Sequence, residues 1–224
     1  MRTFLIFLTL VALSFQSCGT VKVVNTWTAE GDAVANFKQK NILVIARTNN
    51  NTARTAFETA IAKQFNSNGI KATESFKKIP TLHTEVEMSE ERMNKILSMV
   101  ESEGYNGIVI TTVKDTEQVT QTNSSGVYMG VGYGGYPGYY GGFNSYYMNP
   151  YAYGPYYSGF GGYMPMSSTT STYNNYVLET VGYSLDEPKE NQLVFVVTSK
   201  LSDPSDAYKT ADEYVEKIVA AFNK

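Results

Sequence analysis

Between residues 41 and 113 the hydrophobic period changes four times, and that alternation constrains the fold more than any single motif. Residues 41–46 (NILVIA) form a short apolar, β-branched run, the pattern of a strand buried on both faces. A polar turn, NNNT, follows at 49–52, with Asn51 or Thr52 as the expected N-cap. A helix is then predicted over residues 53–68, because Phe57, Ile61 and Phe65 recur at four-residue spacing on one face. Gly69 supplies its stop. Residues 70–75 predict a second strand, and residues 80–86 a loop. Ser89 caps a second helix, with Glu90 and Glu91 in its positive first turn. Met88 and Met93 take the positions of a hydrophobic staple, and Met93, Ile96, Leu97 and Val100 form the buried stripe. Gly104 ends that helix, and residues 107–113 (GIVITTV) predict a third strand whose alternation continues towards Val119. A β-α-β-α-β order of this kind implies a sheet with crossover helices.

The flanks complete the sheet. Val21, Val23 and Val24 predict a short strand, with Trp27 as its anchor. Residues 173–185 and 192–200 predict two more strands, joined by the turn DEPKE at 186–190. Ser205 or Asp206 caps a final helix with Ala207, Ala211, Val215, Ile218, Val219 and Phe222 on one face. The expected fold is α/β (α+β): a single domain with a mixed sheet, β-α-β-α-β followed by a β-hairpin and a C-terminal helix. A Gly/Tyr-rich insertion interrupts it. The divisions are a leader over 1–17, a tether and short strand over 18–40, domain segments over 41–120 and 172–224, and a low-complexity insertion over 121–171.

The insertion has an unusual chemistry. Residues 126–166 hold 12 of the 18 tyrosines, 12 of the 18 glycines and four of the seven prolines, and no charged residue lies between Glu117 and Glu179. Gly raises the entropy cost of ordering and Pro breaks helix and ladder alike, so a flexible excursion at the tip of a long hairpin is expected. Tyrosines nevertheless stack on glycans, lipid headgroups or a protein partner. The candidate contact residues are Tyr133, Tyr136, Tyr139, Tyr140, Tyr146, Tyr147, Tyr156 and Tyr157. Contact, neutral insertion and self-association all remain open from composition, with the prolines opposing a steric zipper. Gly130, Gly132 and Gly135 match the dinucleotide pattern G-x-G-x-x-G, but Pro137 and Gly138 block the helix it needs, and no acid follows at the required distance.

The chain opens with Met1-Arg2, then a nearly unbroken apolar run over 4–15, too short for a membrane-spanning helix and suited to a signal sequence. The only cysteine, Cys18, follows Ser17 at the place where cleavage is expected. This stretch resembles the lipobox of bacterial lipoproteins; Phe15 and Gln16 resemble the relaxed version in Bacteroidetes-type bacteria. The resemblance implies acylation of Cys18 by palmitate-type chains, and several acyl chains give stable membrane attachment. One cysteine excludes an intramolecular disulfide and a multi-thiolate zinc site. The formal net charge of −3, one unit lower once Arg2 leaves with the leader, argues against nucleic-acid binding.

The stretches NILVIARTNNNTARTAFETAIAKQFNSNGIKA and ESEGYNGIVITTV, with the closing hairpin and helix, resemble lipoproteins whose domain is similar to the TolB N-terminal or CsgG-like α/β fold. In that resemblance Arg54, Glu58 and Gly69 take the positions of an Arg, a Glu four residues on, and the Gly after the helix. It implies an accessory role in envelope assembly, secretion or transport, with no enzymatic activity and no cofactor beyond the covalent lipid. The Gly/Tyr insertion is not part of that pattern.

Marks of chemistry are sparse. His83, the only histidine, sits in a loop with no nucleophile motif beside it, and with Glu85 and Glu87 it lacks the spacing of a metal motif. Arg54 and Glu58 read as a surface or semi-buried i,i+4 ion pair, with anion binding as the alternative. The expectation is therefore a lipid-anchored, non-enzymatic envelope module at the outer membrane, facing the periplasm, with an envelope protein or glycan as partner. Two alternatives are kept: an adhesive, self-associating matrix protein, and a small-ligand binder or enzyme with its site at the carboxyl ends of the strands.

Overall fold

Five consecutive buried residues, Ile42 to Ala46, make the first apolar stretch an interior strand, as a run without alternation demands. The computed structural model describes residues 20–79, 89–120, 127–128, 142–148, 163–164 and 172–222. Its elements are β1 (Val21–Thr28), α1 (Ala33–Phe37), β2 (Ile42–Arg47), α2 (Asn51–Ser67), β3 (Ala72–Glu74), α3 (Ser75–Lys78) and α4 (Glu90–Ser102). Then come β4 (Gly107–Thr120), β5 (Val127–Tyr128), α5 (Phe143–Met148), β6 (Tyr163–Met164), β7 (Thr172–Ser184), β8 (Leu193–Ser202) and α6 (Ala207–Phe222).

The main sheet has six strands in the order β1-β8-β7-β4-β2-β3. β3, β2 and β4 run parallel, and β4, β7, β8 and β1 are successively antiparallel. This is the mixed α/β sheet of a single domain that the alternating pattern requires. Helices cover both faces. On one, α1, α2 and α6 pack over Val44, Val109, Val197 and Leu201, with the Phe57 and Tyr214 rings 5.2 Å apart. On the other, Met93, Ile96 and Val100 of α4 cover Leu43, Ile45, Ile108 and Ile110, as their helical spacing predicts.

Capping chemistry sets the helix bounds. Asn50, not Asn51 or Thr52, caps α2: its backbone is extended and its side chain accepts from the Ala53 N–H at 3.0 Å. Ser89 caps α4 by accepting from Arg92 N–H, and Asp206 caps α6 by accepting from the N–H groups of Tyr208 and Lys209. Gly69 and Gly104 both take φ of 75°, the left-handed conformation that ends a helix.

Two segments differ from expectation and one extends as expected. The second strand stops at Glu74, because Ser75 turns inward to meet a carboxylate and opens α3. The third continues to Thr120, paired with β7 from Gly107↔Ser184 to Thr120↔Thr172, so the insertion does leave from the end of a long hairpin. The tether becomes structure from Val21 onward. β1 forms eight residues of edge strand against β8, and α1 follows, placing Phe37 edge-on to Phe195 at 5.8 Å.

Candidate functional site

The insertion contributes to the core. The short helix α5 lies within it, and Phe143, Tyr146 and Tyr147 pack with Tyr183, Leu193 and Val196 on the face that α4 leaves partly open. Tyr146 is 0% and Tyr147 2% exposed. Their selection as contact residues is therefore corrected: Tyr-Tyr inside an uncharged tract reads as surface, but Phe143 and the two tyrosines share one apolar helix face and fill the interior. No aliphatic run announces this, although the spacing of Phe143, Tyr146 and Tyr147 is helical.

A buried ion pair receives the helix. Lys114 Nζ lies 3.1 Å from Glu179 Oε1, with both side chains at 1% exposure or less. Tyr146 Oη donates to the same Glu179 oxygen at 2.6 Å, and the Lys114 ammonium stands 5.1 Å from the centre of the Tyr146 ring. The register between β4 and β7 shifts between Val113 and Asp115, and the extra residue is Lys114. A bulge of this kind re-aims a side chain, here into the interior. Burial, reinforced by the Glu179 charge and hydrogen bond, pushes the Tyr146 phenol well above its ordinary value. Burial also pushes Tyr147 up to about 12. One signal was available in the sequence: Glu179 stands alone inside the apolar run YVLETVGY.

The Arg54–Glu58 pair is no surface feature. Glu58 is 0% and Arg54 4% exposed. Glu58 Oε1 accepts from Arg54 Nε at 3.0 Å, Ser75 Oγ at 2.7 Å and the Ala46 N–H at 3.0 Å, while Oε2 accepts from the Phe76 N–H at 2.9 Å. Arg54 also donates to Ser75 Oγ. One carboxylate thereby ties α2 to β2 and α3, and its lone pairs are directed at neighbouring protein groups.

A cleft of about 480 Å³ opens at the carboxyl end of β2 and beside residues 111–113 in the middle of β4, between the first turns of α2 and α6. Asn50, Ala53, Thr111, Tyr176, Leu178 and Ser205 are among its walls. Its size fits a small molecule. Beneath it a hydroxyl chain runs from Thr111 to Thr180 at 2.6 Å and on to Tyr214 at 2.7 Å. Burial raises the Tyr214 phenol, so it stays neutral.

The N-terminal strand is fixed at this same end. Glu213 of α6 accepts from the N–H groups of Thr20 at 3.2 Å and Val21 at 3.0 Å. Cys18, His83, Glu85, Glu87, Tyr133, Tyr136, Tyr139, Tyr140, Tyr156 and Tyr157 lie outside the described residues, as do the three glycines of the dinucleotide-like pattern. Among the described residues, no group of three His, Cys, Asp or Glu side chains is placed to hold a metal ion. No described helix is long and apolar enough to cross a membrane.

No family model matches the chain, and no curated protein matches it. Two solved structures of PelC from Paraburkholderia phytofirmans are similar to it. The PelC dodecamer in space group P6 shares 10% identity at a TM-score of 0.40, over 89% of this chain and 94% of that one. A PelC variant dodecamer in space group C2 shares 11% identity at a TM-score of 0.39, over 90% and 96%. At this identity and TM-score the likeness assigns neither a family nor a function.

Proposed function

We propose that the protein is a lipid-anchored, non-enzymatic contact module of the cell envelope. Cys18 carries the anchor, the α/β domain is the support, and the Gly/Tyr insertion is the contact element. One observation carries the reading. The insertion is seated on the sheet by Tyr146 and Phe143, and it leaves from a ribbon paired out to Thr120 and Thr172. A neutral excursion needs neither device. Tyr133, Tyr136, Tyr139, Tyr140, Tyr156 and Tyr157 remain the proposed contact residues. The inner pair holds the tract in place. Buried Arg54, Glu58, Lys114 and Glu179 are taken up by one another and by neighbouring donors, which favours structural over catalytic roles.

Cellular fractionation tests the anchor. Wild-type protein should partition with the outer membrane and carry a lipid mass on its first mature residue. Cys18→Ala, left with only the reversible contacts of the insertion, should be washed from the membrane into the soluble periplasmic fraction; retention through washing would overturn the anchor.

The cleft favours a second reading, a small-ligand binder. Its mixed lining of hydroxyl, amide and apolar groups, with the Arg47 guanidinium at its edge, suits an amphiphilic molecule with a hydrogen-bond-accepting or anionic group. Ala53→Trp, which fills the cleft, should then erase ligand-induced thermal shifts seen with the wild type. Shifts that persist in that variant place the ligand elsewhere.

A further inference from the structure

The depth of the anchor relative to the ribbon has a consequence for what the insertion touches. Thr20, Ser202, Asn175 and Glu117 form one row across four strands. Ser202 N–H donates to Thr20 O at 2.8 Å, Ser202 pairs with Asn175, and Asn175 pairs with Glu117. Thr20 cannot drift from this row, because Glu213 holds its N–H and that of Val21. Only Gly19 separates Thr20 from Cys18. Two extended residues reach at most about 7 Å, so the Cys18 backbone stays within that distance of the row.

The β4–β7 ribbon goes further. It continues three pairs beyond Glu117↔Asn175, to Thr120↔Thr172, a rise of about 10 Å. β5 and β6, within the insertion, pair with each other as a separate two-stranded sheet. The charge pattern changes at the same level. Glu117 is the last charged residue of β4, and none follows until Glu179 of β7. On the body side of the row charges are frequent; on the far side of it the ribbon carries none.

We infer that the ribbon beyond the Thr20–Ser202–Asn175–Glu117 row enters the interfacial layer of the bilayer that holds the Cys18 lipid. The inference rests on the lipid-anchor reading and names the contact of the insertion as lipid headgroups. A two-residue tether leaves the ribbon no room to stop short of the surface. Crossing that layer costs little for a strand pair without charge, and Tyr is a residue enriched at that depth. The cleft and the first turns of α2 and α6 then face the membrane, and the 186–190 turn faces away from it.

Depth-dependent quenching tests this on the full lipidated chain. An environment-sensitive fluorophore is attached to Gln118→Cys, on the ribbon, or to Glu187→Cys, at the opposite end. Both native residues are exposed. The labelled proteins are reconstituted in phosphatidylethanolamine/phosphatidylglycerol vesicles containing a headgroup-region quencher lipid. The expected result is severalfold stronger quenching at position 118 than at 187. Flotation with the vesicles and equal quenching, or stronger quenching at 187, overturns the inference while leaving the anchor intact. Failure to float, with no lipid mass on the protein, overturns the anchor reading and the inference with it.

Discussion

Tyr146 donates a 2.6 Å hydrogen bond to Glu179 across 33 residues of sequence, and through that contact the Gly/Tyr insertion joins the core. The acceptor is a buried carboxylate already paired with Lys114. Tyr146→Phe removes the donor and keeps the ring. A hydrogen bond to a charged group contributes about 1.5–3 kcal/mol, so the urea midpoint should fall by that much stability with little change in slope. An unchanged midpoint would mean that the insertion helix is not held by this bond.

Lys114 and Glu179 should behave as a unit. Removing one partner leaves a buried charge uncompensated, at a cost of about 3–5 kcal/mol. Lys114→Met and Glu179→Leu should each destabilise strongly. Lys114→Met with Glu179→Leu should recover much of the loss, because an apolar pair of similar volume avoids the desolvation penalty. A double-mutant cycle by chemical denaturation reads the coupling; additive losses would contradict the pairing.

Glu58 is the second point of cooperative weakness. Four donors converge on its carboxylate. Glu58→Gln turns one acceptor into a donor among donors, and the loss should reach about 3 kcal/mol in a thermal or urea melt. Arg54→Lys should also be costly, because an ammonium cannot match the fork that reaches both Glu58 and Ser75.

Alkaline pH should unfold the protein early. The buried phenols of Tyr146, Tyr147 and Tyr214 all have folded values above the ordinary value, chiefly through burial. An unfolded chain releases these protons near pH 10, and the folded chain retains them. The stability they confer is complete below about pH 10 and is lost as the pH rises through the folded values. Tyr147→Phe should flatten the loss by up to about 1.4 kcal/mol per pH unit between roughly pH 10 and 12. Denaturant midpoints measured from pH 8 to 12 supply the slopes; the same slope in both proteins would contradict a buried, neutral Tyr147.

The alternating core pattern made most of the fold legible. Ile42 to Ala46, the α4 stripe and the β7–β8 hairpin follow from apolar spacing alone. The α5 helix was not legible, because tyrosine is as much a surface residue as a core one and only its docking partner decides. Lys114 was hidden for a related reason: strand alternation assumes constant register, and the bulge breaks it. Arg54 and Glu58 were visible as a pair, but burial depends on Ser75 and Ala46, which are distant in sequence or carry no charge. The row that joins Thr20 to Glu117 is legible only once the strand register is known.

Tyr146 and Tyr147 pack into the core; contact through the other six candidate tyrosines is the central proposal, and one comparison tests it most directly. Protein lacking residues 1–17 and carrying Cys18→Ala is sedimented with isolated envelope material, with and without Tyr→Ser at Tyr133, Tyr136, Tyr139, Tyr140, Tyr156 and Tyr157. The parent form should co-sediment saturably, and the six-fold variant should lose about fivefold or more, equivalent to about 1 kcal/mol of binding, with unchanged thermal stability. Equal co-sedimentation of the two proteins, at equal stability, would contradict it.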